Sequence, residues 1–129
     1  FHIADSYYET YVKAKEAEMR GSMATSSYLQ SPEYDDLGLF LDVAKELDVQ
    51  VQLVSVPMNG WWYDHLGYSA EARASYYAKI RDLAAARSVR LADFSDREYQ
   101  PALLYDIMHL GWRGWLDVTR ACYEFEESA

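Results

Sequence analysis

Val49-Gln-Val-Gln-Leu-Val-Ser-Val56, closed by Pro57, is the stretch whose reading decides the fold. It is rich in β-branched residues, alternates at its start and finishes apolar, the pattern of a strand entering a buried sheet. Val89-Arg-Leu-Ala-Asp-Phe94 reads as a second, shorter strand. Between them, Ser69 to Arg87 places Tyr76, Tyr77, Ile80, Leu83 and Ala84 at helical spacing, so a helix joins the strands. Strands separated in this way lie parallel, as a βαβ unit. The fold class is therefore α/β with a parallel sheet. Two strands do not make a stable sheet alone, so further strands are expected from a missing N-terminal portion or from another chain.

Outward from this unit, Ser6 to Arg20 reads as a helix, with Ser6 and Glu9 at capping-box spacing and Tyr8, Tyr11, Val12, Lys15 and Met19 along one stripe. Gly21 to Gln30 is small, polar and unpatterned, a loop. Ser31-Pro-Glu33 is a helix start, followed by Leu37, Phe40, Leu41, Ala44 and Leu47 at spacings of three and four. Met58 to Gly67 reads as a loop, and Ser95 with Glu98 as the opening of a short helical turn. Asp106 to Gly111 is a loop before a terminal helix from Trp112 to about Glu126. Trp115, Leu116, Thr119, Cys122 and Tyr123 are expected on that helix's inner face. The order is helix, helix, strand, helix, strand, helix.

Residues 1–129 suffice for one domain with a core. No stretch approaches the roughly 18 uninterrupted apolar residues of a membrane helix. The start, Phe1-His-Ile-Ala-Asp5, has neither an initiator Met nor a signal-peptide pattern, so a fragment whose targeting information has been cut away is expected. A net charge of −9 argues against nucleic acid or an anionic membrane surface as the main partner, because both demand clustered Lys and Arg. The single cysteine, Cys122, excludes an internal disulfide and is expected to pack inward.

The chemistry centres on Asp106 and His109, three residues apart. A carboxylate so placed can fix the imidazole tautomer and stabilise the imidazolium, leaving the other ring nitrogen to face a nucleophile. A capping Asp beside a surface His is the simpler alternative. Both Asp106–His109 and the loop after Val56 follow strand carboxyl ends, where open α/β sheets bind their ligands. In that second loop Asn59 could donate to a developing oxyanion, or serve a turn with left-handed backbone. Trp61, Trp62 and Tyr63 could stack on a sugar, or plug the core. His65 is expected to be a turn histidine packed on aromatics, and His2 a surface residue. No zinc spacing, phosphate-binding glycine loop or Gly-x-Ser-x-Gly elbow occurs. No cofactor is called for, and no convincing nucleophile for the pair is found.

Four ordered motifs carry a resemblance that spans essentially the whole chain. Ser27-Tyr-Leu-Gln-Ser-Pro-Glu-Tyr-Asp-Asp-Leu37, Val56-Pro-Met-Asn-Gly-Trp-Trp-Tyr-Asp64, Ala92-Asp-Phe-Ser95 and Asp106-Ile-Met-His-Leu-Gly-Trp-Arg-Gly-Trp115 resemble the C-terminal part of the D-alanyl-lipoteichoic acid biosynthesis (D-alanine transfer) family, and Asp5-Ser-Tyr-Tyr8 fits the same pattern. The resemblance implies a three-layer fold similar to SGNH-type hydrolases, incomplete in this chain, with a Ser–His–Asp triad. His109 would be the base toward a serine lying before Phe1, and Asp106 its orienting carboxylate. Asn59 would line the site, with Trp62 and Tyr63 as further candidate substrate-binding residues. The implied role is D-alanylation of teichoic acids at the Gram-positive envelope, as a serine acyltransferase or thioesterase working with D-alanyl carrier protein or other D-alanylation components. The implied protein is anchored by an N-terminal membrane helix absent from this stretch, with its catalytic domain outside the cytoplasm. A non-catalytic scaffold for those components and a sugar-binding α/β domain are the alternatives.

Overall fold

A computed structural model describes residues 1–128. Two strands, β1 (Gln52–Ser55) and β2 (Arg90–Asp93), pair in parallel with Leu53 opposite Leu91 and Val54 opposite Ala92. The ladder runs one step further, Phe94 N–H donating to Ser55 O at 3.0 Å. The chain is thus mixed α/β around a small parallel sheet, as the β-branched runs imply. Helix α5 (Ala70–Ala86) makes the crossover and packs on both strands, and α6 (Trp112–Glu126) packs on β1. Ser69 caps α5 by accepting the Ala72 N–H. Helix α3 (Glu33–Glu46) precedes β1.

Both α3 and α5 stop in the same way. Asp48 and Ser88 take left-handed backbone, φ 55° and 56°, and the next N–H returns to the helix: Val49 to Ala44 O, Val89 to Ala84 O, each at 2.9 Å. This αL closure satisfies otherwise orphaned carbonyls and feeds the chain directly toward each strand.

Three expectations are corrected. The Ser6–Arg20 helix is broken into α1 (Asp5–Tyr7), a π turn (Tyr8–Val12) and α2 (Glu16–Met19). Ser6 caps nothing, and the expected stripe splits, with Val12 3% and Tyr11 65% exposed. Tertiary packing overrides the helical period: Val12, Trp62 and Leu66 form a core cluster on which Phe1, Tyr7, Tyr8 and Met19 close. Met58 to Gly67, expected as a loop, contains α4 (Gly60–His65), started by Asn59 accepting the Trp62 N–H. Asn59 itself is extended, at φ −73° and ψ 102°, and not left-handed.

The third correction concerns helix faces. Helix α6 spans the expected residues, but Trp115, Leu116, Thr119, Cys122 and Tyr123 are all exposed. Its inner stripe is Gly114, Asp117, Val118, Ala121 and Phe125. Side-chain size misled here, because the helix approaches through a glycine. A Cβ on Gly114 would lie 2.4 Å from Leu103 O. Gly114→Ala is accordingly expected to destabilise the protein by about 1–3 kcal/mol, read as a lowered urea midpoint with unchanged m-value. On α3, Leu41 and Ala44 are buried as expected, but Phe40 and Leu47 are exposed and Gly38 lies inside. Gly38 is seated against Arg87, whose guanidinium pairs with Asp42 at 2.9 Å. No helix among the described residues is long and apolar enough to cross a membrane.

Candidate active site

The segment that carries the Asp–His pair is a closed loop. Gly111 N–H donates to Leu103 O at 2.7 Å and Tyr105 N–H to His109 O at 2.8 Å, across an antiparallel bridge between Leu104 and Leu110. Leu103 and Leu104 are buried and anchor the neck, while Ile107 packs against the core cluster. Ala4 N–H donates to Tyr105 O at 2.8 Å and ties the N-terminal segment to the loop.

Within the loop the Asp106 carboxylate does two jobs. Oδ1 accepts the backbone N–H groups of Met108 and His109, at 2.9 and 2.7 Å. Oδ2 contacts His109 Nδ1 at 2.7 Å. Asp106 is therefore the capping carboxylate of its own turn and at the same time contacts the imidazole. It is 5% exposed. Burial by itself would raise its carboxyl, but the two backbone donors and the imidazole outweigh that and hold it below the ordinary carboxylate range. The His109 side chain is 74% exposed, and its Nε2 makes no hydrogen bond among the described residues. With Nδ1 donating to a carboxylate, Nε2 is left as the accepting nitrogen, the tautomer a general base requires.

The loop after β1 meets the dyad loop as the strand order implies. A groove of about 460 Å³ is lined by Val56, Pro57 and Met58 on one side and by Ile107 and Met108 on another. Of the candidate site residues only Tyr63 is part of its lining; Asp106 and His109 flank Ile107 and Met108 in sequence but do not line it. Trp62 is 2% exposed and belongs to the core cluster, which leaves it no face for a ligand. Asn59 is 2% exposed, its oxygen taken by Trp62 N–H and its Nδ2 donating to Phe1 O at 3.0 Å. His65 stacks on Trp62 and bonds Glu16 O through Nε2 at 2.7 Å, the packed turn histidine expected. His2 is exposed and lies on Trp61, with ring centroids 4.1 Å apart. No group of three or more His, Cys, Asp or Glu among the described residues is placed to hold a metal ion.

Two features escape the sequence. Arg73 sits on the inner side of α5, wholly buried. Its Nε donates to the Glu98 carboxylate at 2.9 and 3.0 Å, and its other nitrogens reach Tyr68 O and Tyr99 Oη. Glu98 also accepts from Tyr77 Oη at 2.8 Å, and Tyr77 Oη accepts the Met58 N–H at 2.7 Å. The Glu98 carbonyl takes the Gly60 N–H at 2.9 Å. This cluster grips the loop after β1 by its backbone on both sides of Asn59. Nothing in the spacing of Arg73, Tyr77 and Glu98 announces it. The second is the tyrosine-rich lining of the groove, drawn from four segments that only the fold brings together.

The model of the DltD protein family matches residues 1–127. Protein DltD of Bacillus subtilis (strain 168) is 38% identical over 125 residues, covering 97% of this chain and 32% of that protein. Protein DltD of Staphylococcus aureus (strain NCTC 8325 / PS 47) is 33% identical over 116 residues, 90% of this chain and 29% of that protein. Protein DltD of Lacticaseibacillus rhamnosus is 31% identical over 126 residues, 97% of this chain and 30% of that protein. The chain spans about a third of the length of these relatives. With a family match along nearly its whole length and three relatives above 30% identity, the chain belongs to the DltD protein family.

Proposed function

We propose that this chain supplies the Asp and His of a Ser–His–Asp acyl-transfer site that serves the D-alanylation of teichoic acids at the Gram-positive envelope. The carrying observation is the 2.7 Å contact between Asp106 Oδ2 and His109 Nδ1, with Nε2 making no hydrogen bond among the described residues. In this reading Asp106 orients the imidazole and stabilises its protonated form, and His109 takes the proton of a serine hydroxyl. The serine belongs to the part of the protein outside these residues, and the small parallel sheet is one end of a three-layer SGNH-type sheet. The membrane anchor and the extracytoplasmic setting come with the same family reading, as does an acyl supply through D-alanyl carrier protein or its partners.

Charge constrains how the acceptor binds. Teichoic acid is an anionic polymer and the net charge here is −9, so long-range attraction works against the encounter and the polymer must be engaged locally. A sugar platform on Trp62 has no support, since that ring is buried.

The test is made in cells. Full-length protein carrying His109→Ala, in a strain lacking the wild-type copy, is expected to leave ester-linked D-alanine on teichoic acid at the level of the deletion. D-alanylation at the parental level would overturn the catalytic assignment.

A further inference from the structure

The groove beside the Asp106–His109 loop has a composition of its own. Four tyrosines line it, Tyr28, Tyr34, Tyr63 and Tyr76, with one carboxylate, Glu33, and no lysine, arginine or histidine. Burial raises the phenols of Tyr34, Tyr63 and Tyr76, and the neighbouring phenols push the same way. Their π faces therefore offer a negative quadrupole without ionising. The rings form a packed set and not scattered surface residues. Tyr28 and Tyr76 meet edge to face at 6.1 Å, and Tyr28 lies 5.1 Å from Tyr68.

The set already receives one ammonium. Lys79 Nζ stands 4.1 Å from the centroid of the Tyr34 ring, and the same nitrogen donates to Leu29 O. Lys79 is thereby committed at the rim and does not line the groove. An anion entering would find no basic side chain among the lining residues, Lys79 being held at the rim by Leu29 O and the Tyr34 ring, and would face Glu33. A purely apolar ligand would use the walls of Leu37, Val56 and Ile80 but leave the carboxylate and the phenols idle. A cation on a short apolar body uses all of them, the arrangement by which aromatic cages hold ammonium ligands.

We infer that this groove is the subsite for the ammonium-bearing end of the substrate, a short aminoacyl group. Its α-ammonium is held over the tyrosine faces with Glu33 as counter-ion, and its carbonyl lies toward the His109 loop. The inference rests on the acyl-transfer reading, which is what requires an acyl group to lie against Ile107 and Met108. About 460 Å³ leaves room for that group and for the atoms joining it to its carrier.

Two measurements on the full-length protein separate the subsite from the chemistry. The first titrates isobutylammonium chloride and its neutral isostere isobutanol, followed by the chemical shifts of the groove residues. Wild type is expected to bind the ammonium about five- to tenfold more tightly than the alcohol. Glu33→Gln and Tyr76→Leu are each expected to remove most of that ratio, while Tyr76→Phe, which keeps the ring face, retains it. Equal binding of the two probes, or a ratio untouched by Glu33→Gln, overturns the subsite. The second compares turnover of an α-aminoacyl p-nitrophenyl ester by wild type and His109→Ala. An ammonium preference together with turnover indifferent to His109 upholds the groove and removes acyl transfer. Turnover that needs His109, with no ammonium preference, overturns the groove and leaves acyl transfer standing.

Discussion

Asp106→Asn in the full-length protein is expected to fold like the parent and to lose about four orders of magnitude in kcat for acyl transfer. The separation follows from the division of labour in the carboxylate. Oδ1 caps the loop by accepting from Met108 N and His109 N, and an asparagine oxygen does the same. Oδ2 faces His109 Nδ1, and there asparagine presents an N–H in place of an acceptor. The imidazole must then turn Nδ1 into the accepting nitrogen, which puts its proton on Nε2, where a base needs a lone pair. Asp106→Ala removes both functions and should lower stability as well as activity. A melting temperature for Asp106→Asn close to the parent, with activity lost, fits this account. Full activity in Asp106→Asn would sink it.

The same carboxylate sets a pH dependence. Its pKa is depressed in the folded protein, by donors that outweigh burial. The stabilisation is therefore fully present above the unfolded carboxyl value near 4 and is lost as pH falls through the lower folded value. Stability measured by urea unfolding should decline below about pH 4 less steeply in Asp106→Asn than in the parent. An identical decline in both would show that the carboxylate carries no such linkage.

What the sequence made legible is what local chemistry controls. The β-branched run before Pro57 and the second run at Val89 needed only their own composition, and their parallel pairing followed from the helix between them. Asp106 and His109 were legible because their contact is local, closed within one turn. Faces and long-range contacts were not. On α6 the large residues at Trp115, Leu116 and Tyr123 outweighed the glycine that sets the approach, because a hydrophobic count cannot see how closely two backbones meet. The N-terminal helix failed for a related reason: short helical segments are marginal by themselves, so packing of Phe1, Tyr8 and Val12 around Trp62 decides their geometry. Asn59 drew attention as a possible oxyanion donor. Its burial as the cap of α4 depends on Phe1, a residue 58 positions away.

Arg73→Met is expected to cost about 3–5 kcal/mol of stability, a large share of the roughly 5–15 kcal/mol that holds a domain together. The side chain of Arg73 is 1% exposed and that of Glu98 13%, so neither charge can fall back on water. Methionine fills much of the same volume, which leaves the missing charge and donors as the main change. Without them Glu98 keeps only the Tyr77 hydroxyl, and Tyr68 O loses its donor. Asp64, half-exposed, adds little, since screening weakens its share of the pairing. The damage should not stop at stability. Glu98 holds Tyr77, Tyr77 holds Met58 N, and the Glu98 carbonyl holds Gly60 N, so the loop beside the groove loses its anchors. Arg73→Lys should recover only part of the loss, because an ammonium cannot reproduce the fork that serves Glu98, Tyr68 and Tyr99 together. Urea unfolding of the three full-length proteins, with amide exchange at Met58 and Gly60, measures both effects. A loss under about 1 kcal/mol for Arg73→Met, with those amides still protected, would mean that packing and not this charge cluster holds the loop.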